Sequence, residues 1–278
     1  MTDTSKVLFM VGASSGFGLS ITKLFLEKGF RVAATARSKE QLIKAVGETD
    51  TNKFLALENN LKEDEAINKT VQDIVSHFGR IDIVFCNAGY GISGVNEEVS
   101  DQNLRDIFNI NFFAYASVLR HVTKYLQSGA HVFLLSSIGG FNPFPGSIAY
   151  NTTKFAVCAL GESYAAEVKA FGIKVTNLNS GAFATSFGSG MQPAAINLQE
   201  KYKDIYQKAG EFYTSLILKD AGKFSELILE YVNSDKPEAP LNLFIGADAN
   251  QLAHEKIAQL QKDLKDNEQF TIDRFLTK

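Results

Sequence analysis

The stretch KVLFMVGASSGFG at residues 6–18 decides the fold of this chain. A short continuous apolar run at 6–11 stops at Gly12, and a helical pattern begins a few residues later. The glycines of the turn have the spacing G-x-x-x-G-x-G, which allows a tight turn and a close approach of backbone to a pyrophosphate. A glycine-rich turn alone is also compatible with a plain connection. A strand before it and a helix after it, with free N–H groups that favour an anion, indicate a nucleotide-binding loop.

Apolar runs recur along the chain and alternate with helical patterns. Continuous runs, rather than alternating ones, are typical of strands that are buried on both faces. After the first run, they lie at 31–36, 54–58, 81–86, 131–136, 173–178 and 241–246. Helical patterns lie at 16–28, 38–46, 63–78, 100–127, 149–170 and 217–233. This order predicts an α/β fold with a doubly wound, seven-stranded parallel sheet and helices on both faces.

Two longer segments fall outside this alternation. The segment 182–215 follows the sixth predicted strand and is a candidate substrate lid, because long connections at the carboxyl end of a parallel sheet lie close to the ligand. The segment 247–278 has a polar helical pattern and is a candidate C-terminal extension. No linker, repeat or low-complexity tract divides the chain, so we expect 1–278 to form one domain.

The composition argues against several classes of function. A net charge of −3 and a pI of about 5.9 provide no basic surplus for nucleic acid. No apolar stretch reaches the length of a membrane span. Cys86 and Cys158 lie in apolar stretches and are expected to be small core residues in a reducing compartment. With no metal-ligand spacing among His and Cys, we expect a cytoplasmic protein that binds no nucleic acid, membrane or metal.

The end of the second predicted strand bears on the choice of nucleotide. A chain that prefers NAD would offer Asp or Glu there for the ribose 2′-hydroxyl. Here Ala36 and Arg37 stand at this position, and Arg37 comes 37 − 18 = 19 residues after Gly18. A guanidinium binds phosphate through paired N–H donors, which favours the 2′-phosphate of NADP(H). The alternative is a solvated arginine after a strand.

The stretch SIAYNTTK at 147–154 places Tyr150 and Lys154 four residues apart. On a helix this spacing puts both side chains on one face. A single pair of this kind is more often a solvated helix face than a site.

Taken with NAG at 87–89, these motifs make the chain resemble the short-chain dehydrogenase/reductases of the classical type. The family pattern T-G-x-x-x-G-x-G matches residues 11–18 except at Val11, and Y-x-x-x-K matches Tyr150 and Lys154. The resemblance runs over nearly the whole chain. It implies a single-domain Rossmann fold and an oxidoreductase that moves a hydride between a nicotinamide and a ketone or secondary alcohol.

The resemblance also implies a set of catalytic residues. They are Asn111, Ser137, Tyr150 and Lys154, with Ser137 thirteen positions before the tyrosine (150 − 137 = 13) as in the family pattern. Tyr150 would exchange a proton with the substrate oxygen, and Lys154 would lower its pKa towards neutrality. Ser137 would donate a hydrogen bond to that oxygen, and Asn111 would hold a water that links Lys154 to solvent.

The cofactor-binding positions implied by the family cluster at the expected carboxyl ends of the strands. They are Gly12, Ser14, Ser15, Gly16, Phe17, Gly18, Arg37, Asn60, Leu61, Asn87, Ala88, Gly89, Tyr150, Lys154, Gly181, Phe183 and Thr185. This chain departs from the pattern in three places. Val11 lacks a hydroxyl that ties down the glycine loop, Asn60 replaces an Asp beside the adenine, and Ser180 replaces the Pro of the Pro-Gly pair that stiffens the nicotinamide loop.

Candidate substrate walls are apolar and aromatic, which favours an apolar or aromatic carbonyl compound. They are Tyr90, Ile138, Phe141, Phe144, Phe187 and Met191. These side chains could equally pack the lid against the body. A second hypothesis is a catalytically silent NADP(H)-binding regulator, although such proteins usually lose the Tyr or the Lys. The family resemblance further implies a homodimer or homotetramer.

Overall fold

A computed structural model describes residues 6–233 and 240–272. Its centre is a sheet whose strands are all parallel to one another. The strands are β1 (Val7–Val11), β2 (Arg31–Ala36), β3 (Phe54–Glu58), β4 (Ile81–Cys86), β5 (Leu126–Leu135), β6 (Lys174–Ser180) and β7 (Asn242–Ile245).

The strand order is β7-β6-β5-β4-β1-β2-β3. Strands β2 and β3 therefore lie on one side of β1, and β4 to β7 lie on its other side, so the order of the strands switches between β1 and β4. At the carboxyl end of β1, Val11 lies opposite Thr35 of β2 on one side and Cys86 of β4 on the other. Open α/β sheets bind ligands in the crevice at such a switch point. The prediction of a doubly wound seven-stranded sheet is confirmed.

Helices cover both faces of the sheet, and each face has its own apolar core. They are α1 (Gly16–Glu27), α2 (Lys39–Val46), α3 (Asp64–Phe78), α4 (Asp101–Phe108), α5 (Ala114–Val122), α6 (Ile148–Val168), α7 (Lys203–Ser215), α8 (Ala221–Asn233) and α9 (Ala247–Ile272). Every residue of β1 is buried, which explains why its sequence is a continuous apolar run.

The predicted helix 100–127 is the element that the structure changes most. A π-helical turn at Asn109–Phe113 divides it into α4 and α5, and the helical path ends with a 3₁₀ turn at Thr123–Tyr125. The next strand begins at Leu126, five residues before the predicted start. Polar residues 127–129 are exposed at the beginning of this strand, so they lack the apolar run by which strands are recognised.

The predicted lid contains short extended pieces and α7. Ile92–Ser93 pairs with Gln192–Pro193, and Phe183–Ala184 pairs with Lys219–Asp220. The predicted C-terminal extension is helical as α9 through Ile272, and its remaining residues 273–278 lie outside the described ranges. Within those ranges, no helix combines the length and apolar character that a membrane crossing requires.

His131 of β5 is a buried titratable group that makes the stability of this fold depend on pH. Its ring stacks on Phe133 with centroids 3.8 Å apart, and its Nε2 lies 3.0 Å from Thr176 Oγ1. Burial lowers the pKa of His131 to about 3 from 6.5. Between these two values the unfolded chain binds a proton that the folded chain does not, so stability falls as the pH falls below 6.5.

We predict that wild type loses about 2 kcal/mol of unfolding free energy between pH 7 and pH 5 through this group. His131→Gln removes the imidazole, so its stability should change much less over this range. Urea unfolding followed by circular dichroism at pH 7 and pH 5 measures the difference. His254→Gln on exposed α9 is the control and should keep the wild-type dependence. An equal loss in wild type and His131→Gln would contradict this assignment.

Candidate functional site

The glycine loop after β1 has the backbone geometry that its sequence predicts. Gly12 and Gly16 adopt φ of 85° and 56°, which L side chains rarely take. A Cβ on Gly18 would lie 2.1 Å from the carbonyl oxygen of Gly12, so only glycine lets α1 start this close to the loop. Ser15 caps α1 without a side-chain hydrogen bond to its first turn, which leaves backbone N–H groups for an anion.

The loop is tied to both neighbouring strands. Asn87 Nδ2 donates to the carbonyl oxygen of Gly12 at 2.5 Å. The N–H of Ala88 donates to the carbonyl oxygen of Val11 at 2.9 Å. From β2, the hydroxyl of Thr35 accepts from the N–H of Gly12 at 3.2 Å. Thr35 thus supplies a hydroxyl tie from the neighbouring strand although Val11 has none. The sequence analysis missed Thr35, whose position becomes evident only from the register that sets it opposite Val11.

Tyr150 and Lys154 lie on the first turns of α6, and both are almost completely buried. The ammonium of Lys154 donates to the carbonyl oxygen of Leu135 at 2.7 Å and lies 5.7 Å from the centroid of the Tyr150 ring. A buried pair of this kind is not a solvated helix face. The four-residue spacing therefore brings the phenol and the ammonium together, as predicted from the sequence.

Burial dominates the titration of both groups. It raises the pKa of Tyr150 to about 12, with a smaller opposing effect from a hydrogen bond with Ser137. It lowers the pKa of Lys154 to about 8. The groups that shift the pKa of Tyr150 do not include Lys154, so the lowering of this pKa by Lys154 stays a prediction. Loss of solvent around the phenol outweighs the hydrogen bond with Ser137, so Tyr150 is protonated at neutral pH and Lys154 is largely charged.

Ser137 lies at the end of β5, where the chain turns towards α6. Its hydroxyl oxygen accepts from the N–H of Gly139 at 3.1 Å, and the residue is 7% exposed. The same hydroxyl makes a hydrogen bond with Tyr150, so Ser137 links the phenol to the backbone of this turn. The neighbouring Ser136 is engaged differently, because its hydroxyl donates to the carbonyl oxygen of Lys154 at 3.0 Å and lies 3.1 Å from Cys158 Sγ. Cys158 is thus half-buried among polar groups, unlike the buried Cys86.

Asn111 lies in the π-helical turn between α4 and α5 and is completely buried. Its Nδ2 donates to the carbonyl oxygen of Tyr90 at 2.9 Å and to Thr153 Oγ1 at 3.1 Å, while its Oδ1 accepts from the N–H of Tyr90 at 3.0 Å. A Cβ on Gly89 would lie 3.1 Å from Asn111 Oδ1 and 3.7 Å from Lys154 Nζ. Asn111, Gly89 and Lys154 therefore meet at one point. Single-turn π segments are frequent at functional sites.

The predicted adenosine-binding positions lie at the ends of β2 and β3. Arg37 is exposed directly after β2, and among the described residues its side chain has no hydrogen-bond or ion-pair partner. Asn60 is also exposed, and its Nδ2 donates to Glu63 Oε1 at 2.6 Å. Leu61 packs at the edge of the core, so its side chain is turned towards the protein.

The predicted cofactor positions on the other side of the crevice contact the glycine loop. Phe17 stacks on Phe224 of α8 with centroids 3.9 Å apart, and Phe183 meets Phe17 edge-on at 5.2 Å. Both rings therefore pack against α8. A Cβ added to Gly16 would lie 3.5 Å from the Cβ of Thr185. The chain after Gly181 therefore crosses directly over the glycine loop.

The structure gathers most of the predicted substrate residues around Tyr150. The ring centroids of Phe187 and Tyr150 lie 5.2 Å apart. Tyr90 and Phe144 pack in the apolar cluster that contains Tyr150. The side chain of Met191 would lie 3.2 Å from a Cβ added to Gly91. Two predicted residues lie elsewhere. Ile138 and Phe141 pack in a cluster with β7 and α9, and their contact with substrate stays a prediction.

A buried carboxylate that the sequence analysis missed holds the 182–215 segment against the body. Glu98 is 1% exposed, and it accepts from the N–H groups of Val95 at 3.0 Å and Leu198 at 2.6 Å and from the hydroxyl of Tyr206. These bonds fix the segment directly beside the aromatic cluster. Glu98 is one of two adjacent acids in a polar stretch, so nothing in the sequence distinguishes it from a surface residue.

The site residues fit a dinucleotide. The positive-φ glycine turn, the N–H groups of α1 and Arg37, which has no partner among the described residues, could donate to phosphates near the switch point. Among the described residues, no group of three or more His, Cys, Asp and Glu side chains could hold a metal ion. Fold and site together are those of a dinucleotide-binding oxidoreductase.

Comparison with known proteins identifies the family. A family model described as short chain dehydrogenase matches residues 6–194. Oxidoreductase BOA17 of Botryotinia fuckeliana is 30% identical over 259 residues, which cover 90% of this chain and 92% of that protein. NADPH-dependent aldehyde reductase 1, chloroplastic, of Arabidopsis thaliana is 28% identical over 237 residues, which cover 82% of this chain and 78% of that protein. A solved short-chain dehydrogenase from Streptomyces avermitilis aligns with a TM-score of 0.86 at 30% identity over 98% of both chains. The chain belongs to the short-chain dehydrogenase family.

We predict that Gly18→Ala destabilises the protein by about 1–3 kcal/mol, because the new methyl group meets the carbonyl oxygen of Gly12 and forces the loop to move. Gly210→Ala is the matched control. Gly210 also lies within a helix, and a Cβ there meets no atom within 4 Å. The control should gain up to about 1 kcal/mol from helix propensity. Urea unfolding measures both variants, and equal stability changes would refute the close approach at Gly18.

Proposed function

We propose that this chain is an NADPH-dependent carbonyl reductase, which interconverts an apolar or aromatic ketone and its secondary alcohol. The observation that carries the proposal is the buried cluster of Tyr150, Lys154, Asn111 and Ser137 at the carboxyl edge of the sheet, beside the glycine loop. The nicotinamide, when bound, supplies or accepts the hydride. The chain itself must hold the substrate oxygen and exchange a proton with it.

Tyr150 is the proposed proton donor in the direction of reduction. With a pKa raised by burial to about 12, its phenol carries a proton throughout the physiological pH range. The hydroxyl of Ser137 accepts from the N–H of Gly139 and makes a hydrogen bond with Tyr150, and it would turn its O–H to the substrate oxygen when a carbonyl compound binds. The two hydroxyls would bind the same carbonyl oxygen, and the negative charge that develops there would draw the proton from Tyr150.

Lys154 and Asn111 would support this proton transfer. A charged ammonium beside the ring stabilises the phenolate that remains after the proton leaves, and it can donate to ribose hydroxyls. Burial lowers the pKa of Lys154 to about 8, so it can also lose a proton near neutral pH. Asn111 lies next to Lys154 and keeps one lone pair of its Oδ1 after the bond from Tyr90, which suits a water that returns a proton to the lysine.

The preference for NADPH rests on Arg37. Its guanidinium is exposed at the end of β2 and has no partner among the described residues, so it is available for a 2′-phosphate. The Arabidopsis thaliana relative bears the name of an NADPH-dependent aldehyde reductase, which supports both the cofactor and a carbonyl substrate. The aromatic side chains near Tyr150 support an apolar substrate.

Assembly and location are further parts of the proposal. Phe113 at the start of α5 and Phe155 on α6 are 56% and 41% exposed, and large exposed rings on neighbouring helices support a homodimer or homotetramer through these helices. A cytoplasmic location stays a prediction from the sequence.

We predict that Tyr150→Phe lowers kcat for ketone reduction about 10²–10⁴-fold, because it removes the proton donor and keeps the ring. The affinity for NADPH should stay within about twofold of wild type, since the aromatic packing is unchanged. Steady-state oxidation of NADPH with a panel of aryl and alkyl ketones measures turnover, and NADPH fluorescence measures binding. Tyr125→Phe, which removes a phenol outside the site, is the control. A Tyr150→Phe variant that turns over like wild type would disprove the assignment.

The second prediction concerns cofactor choice. Arg37→Leu should lower the ratio of kcat/KM for NADPH to that for NADH about tenfold or more, the loss expected for charge-assisted hydrogen bonds to phosphate. Lys44→Leu removes a positive charge from an exposed position of α2 and should leave the ratio unchanged. Equal effects of the two variants would show that Arg37 acts only through general electrostatics.

A further inference from the structure

An ion pair from two distant parts of the chain holds the backbone just after β6. Lys219 Nζ lies 2.6 Å from Asp248 Oδ1, and both side chains reach the same residue, Ala182. The N–H of Ala182 donates to Asp248 Oδ2 at 2.8 Å, and Lys219 Nζ donates to the carbonyl oxygen of Ala182 at 3.0 Å. The two members of one ion pair thus satisfy both backbone polar groups of one residue.

The pair is enclosed rather than solvated. The side chains of Lys219 and Asp248 are 27% and 22% exposed, and the ammonium lies 5.2 Å from the centroid of the Phe183 ring. A Cβ on Gly181 would come within 2.2 Å of Asp248 Oδ1, and one on Gly246 within 2.5 Å of Lys219 Cε. Two glycines therefore make room for the pair. Partial enclosure reduces solvent screening, which distinguishes it from exposed ion pairs of little net effect.

Both charged residues are firmly anchored. Lys219 pairs with Phe183 in a short parallel bridge before α8, and Asp248 lies in the first turn of α9. The start of α9 is in turn fixed to the loop after Ser137, because Asn142 Nδ2 donates to the carbonyl oxygen of Leu252 at 3.0 Å. The C-terminal helix therefore connects two loops at the carboxyl edge of the sheet.

The backbone held by this pair leads directly over the glycine loop. Three residues after Ala182, Thr185 packs against Gly16, and the hydroxyl of Ser186 donates to Ser15 Oγ at 3.0 Å. Ser180 precedes this segment and lacks the fixed φ that a proline would give. The position of 182–186 over the loop thus depends on contacts from outside the segment.

We propose that Lys219 and Asp248 are positioning residues that hold the 182–186 segment against the nicotinamide half of the bound cofactor. The inference rests on the proposed function, because it requires a dinucleotide in the crevice. Neither side chain takes part in proton or hydride transfer. They act through the backbone of Ala182, which replaces the local stiffness of a proline by an ionic clamp.

The test compares a whole dinucleotide with its adenosine half. Asp248→Ala and Lys219→Met each break the clamp, and both should weaken binding of NADPH about tenfold, as expected for loss of charge-assisted hydrogen bonds. Binding of 2′,5′-ADP, which has no nicotinamide, should stay within about twofold of wild type. Isothermal titration calorimetry measures both ligands, and thermal unfolding reports stability separately. If one variant fails to fold, the other provides the same comparison.

Lys262→Met and Asp266→Ala are matched controls, because they remove the same two charges from an exposed ion pair on α9. Both should bind the two ligands like wild type. Clamp variants that bind NADPH like wild type, or that lose affinity for both ligands equally, would overturn the inference and leave the proposed function intact. A wild-type chain that binds neither ligand would overturn the proposed function, and the inference with it.

Discussion

The buried ammonium of Lys154 is the constraint on which the site depends. A charge that is 3% exposed is unfavourable unless polar groups replace its water, and the carbonyl oxygen of Leu135 and the rings of Tyr115 and Tyr150 surround it. These contacts require β5, α5 and α6 to meet at one point. The same burial raises the pKa of Tyr150, so the phenol keeps its proton at neutral pH.

Much of the fold and of the candidate site could be predicted because the signals are local. A continuous apolar run reports a strand that is buried on both faces, and the glycine loop combines its turn with that strand in only a few residues. Tyr150 and Lys154 share a helix face through their spacing alone. Such patterns depend only on the chain near each residue, whereas the roles of Asn111 and Ser137 follow from the family resemblance.

The remaining features depend on contacts between distant segments. The π-helical turn at Asn109–Phe113 is invisible to a helical pattern, because one wide turn barely alters the periodicity. The pKa of Tyr150 follows from burial, which only the folded chain defines. Thr35, Glu98 and Asp248 act on backbone groups far away in sequence, and each looks like an ordinary polar residue in its own stretch.

Each of these long-range hydrogen bonds fixes a loop at the carboxyl edge of the sheet. Thr35 holds the glycine loop, Glu98 holds the 182–215 segment, and Asp248 holds the chain that leaves β6. Loops are ordinarily the most mobile parts of a fold. Under the proposed function, these fixed loops would hold a dinucleotide and a carbonyl group beside Tyr150.

The most direct test of this account is a single-turnover reaction with NADPH that carries deuterium at the transferable position of the nicotinamide. Mass spectrometry of the alcohol formed from an aryl ketone shows whether the label has moved to the carbinol carbon. The account predicts full transfer by wild type, at a rate that falls as the pH rises above about 8 and Lys154 loses its proton. Tight binding of NADPH without transfer to any ketone of the panel would contradict it and indicate a protein that binds the nucleotide without catalysis.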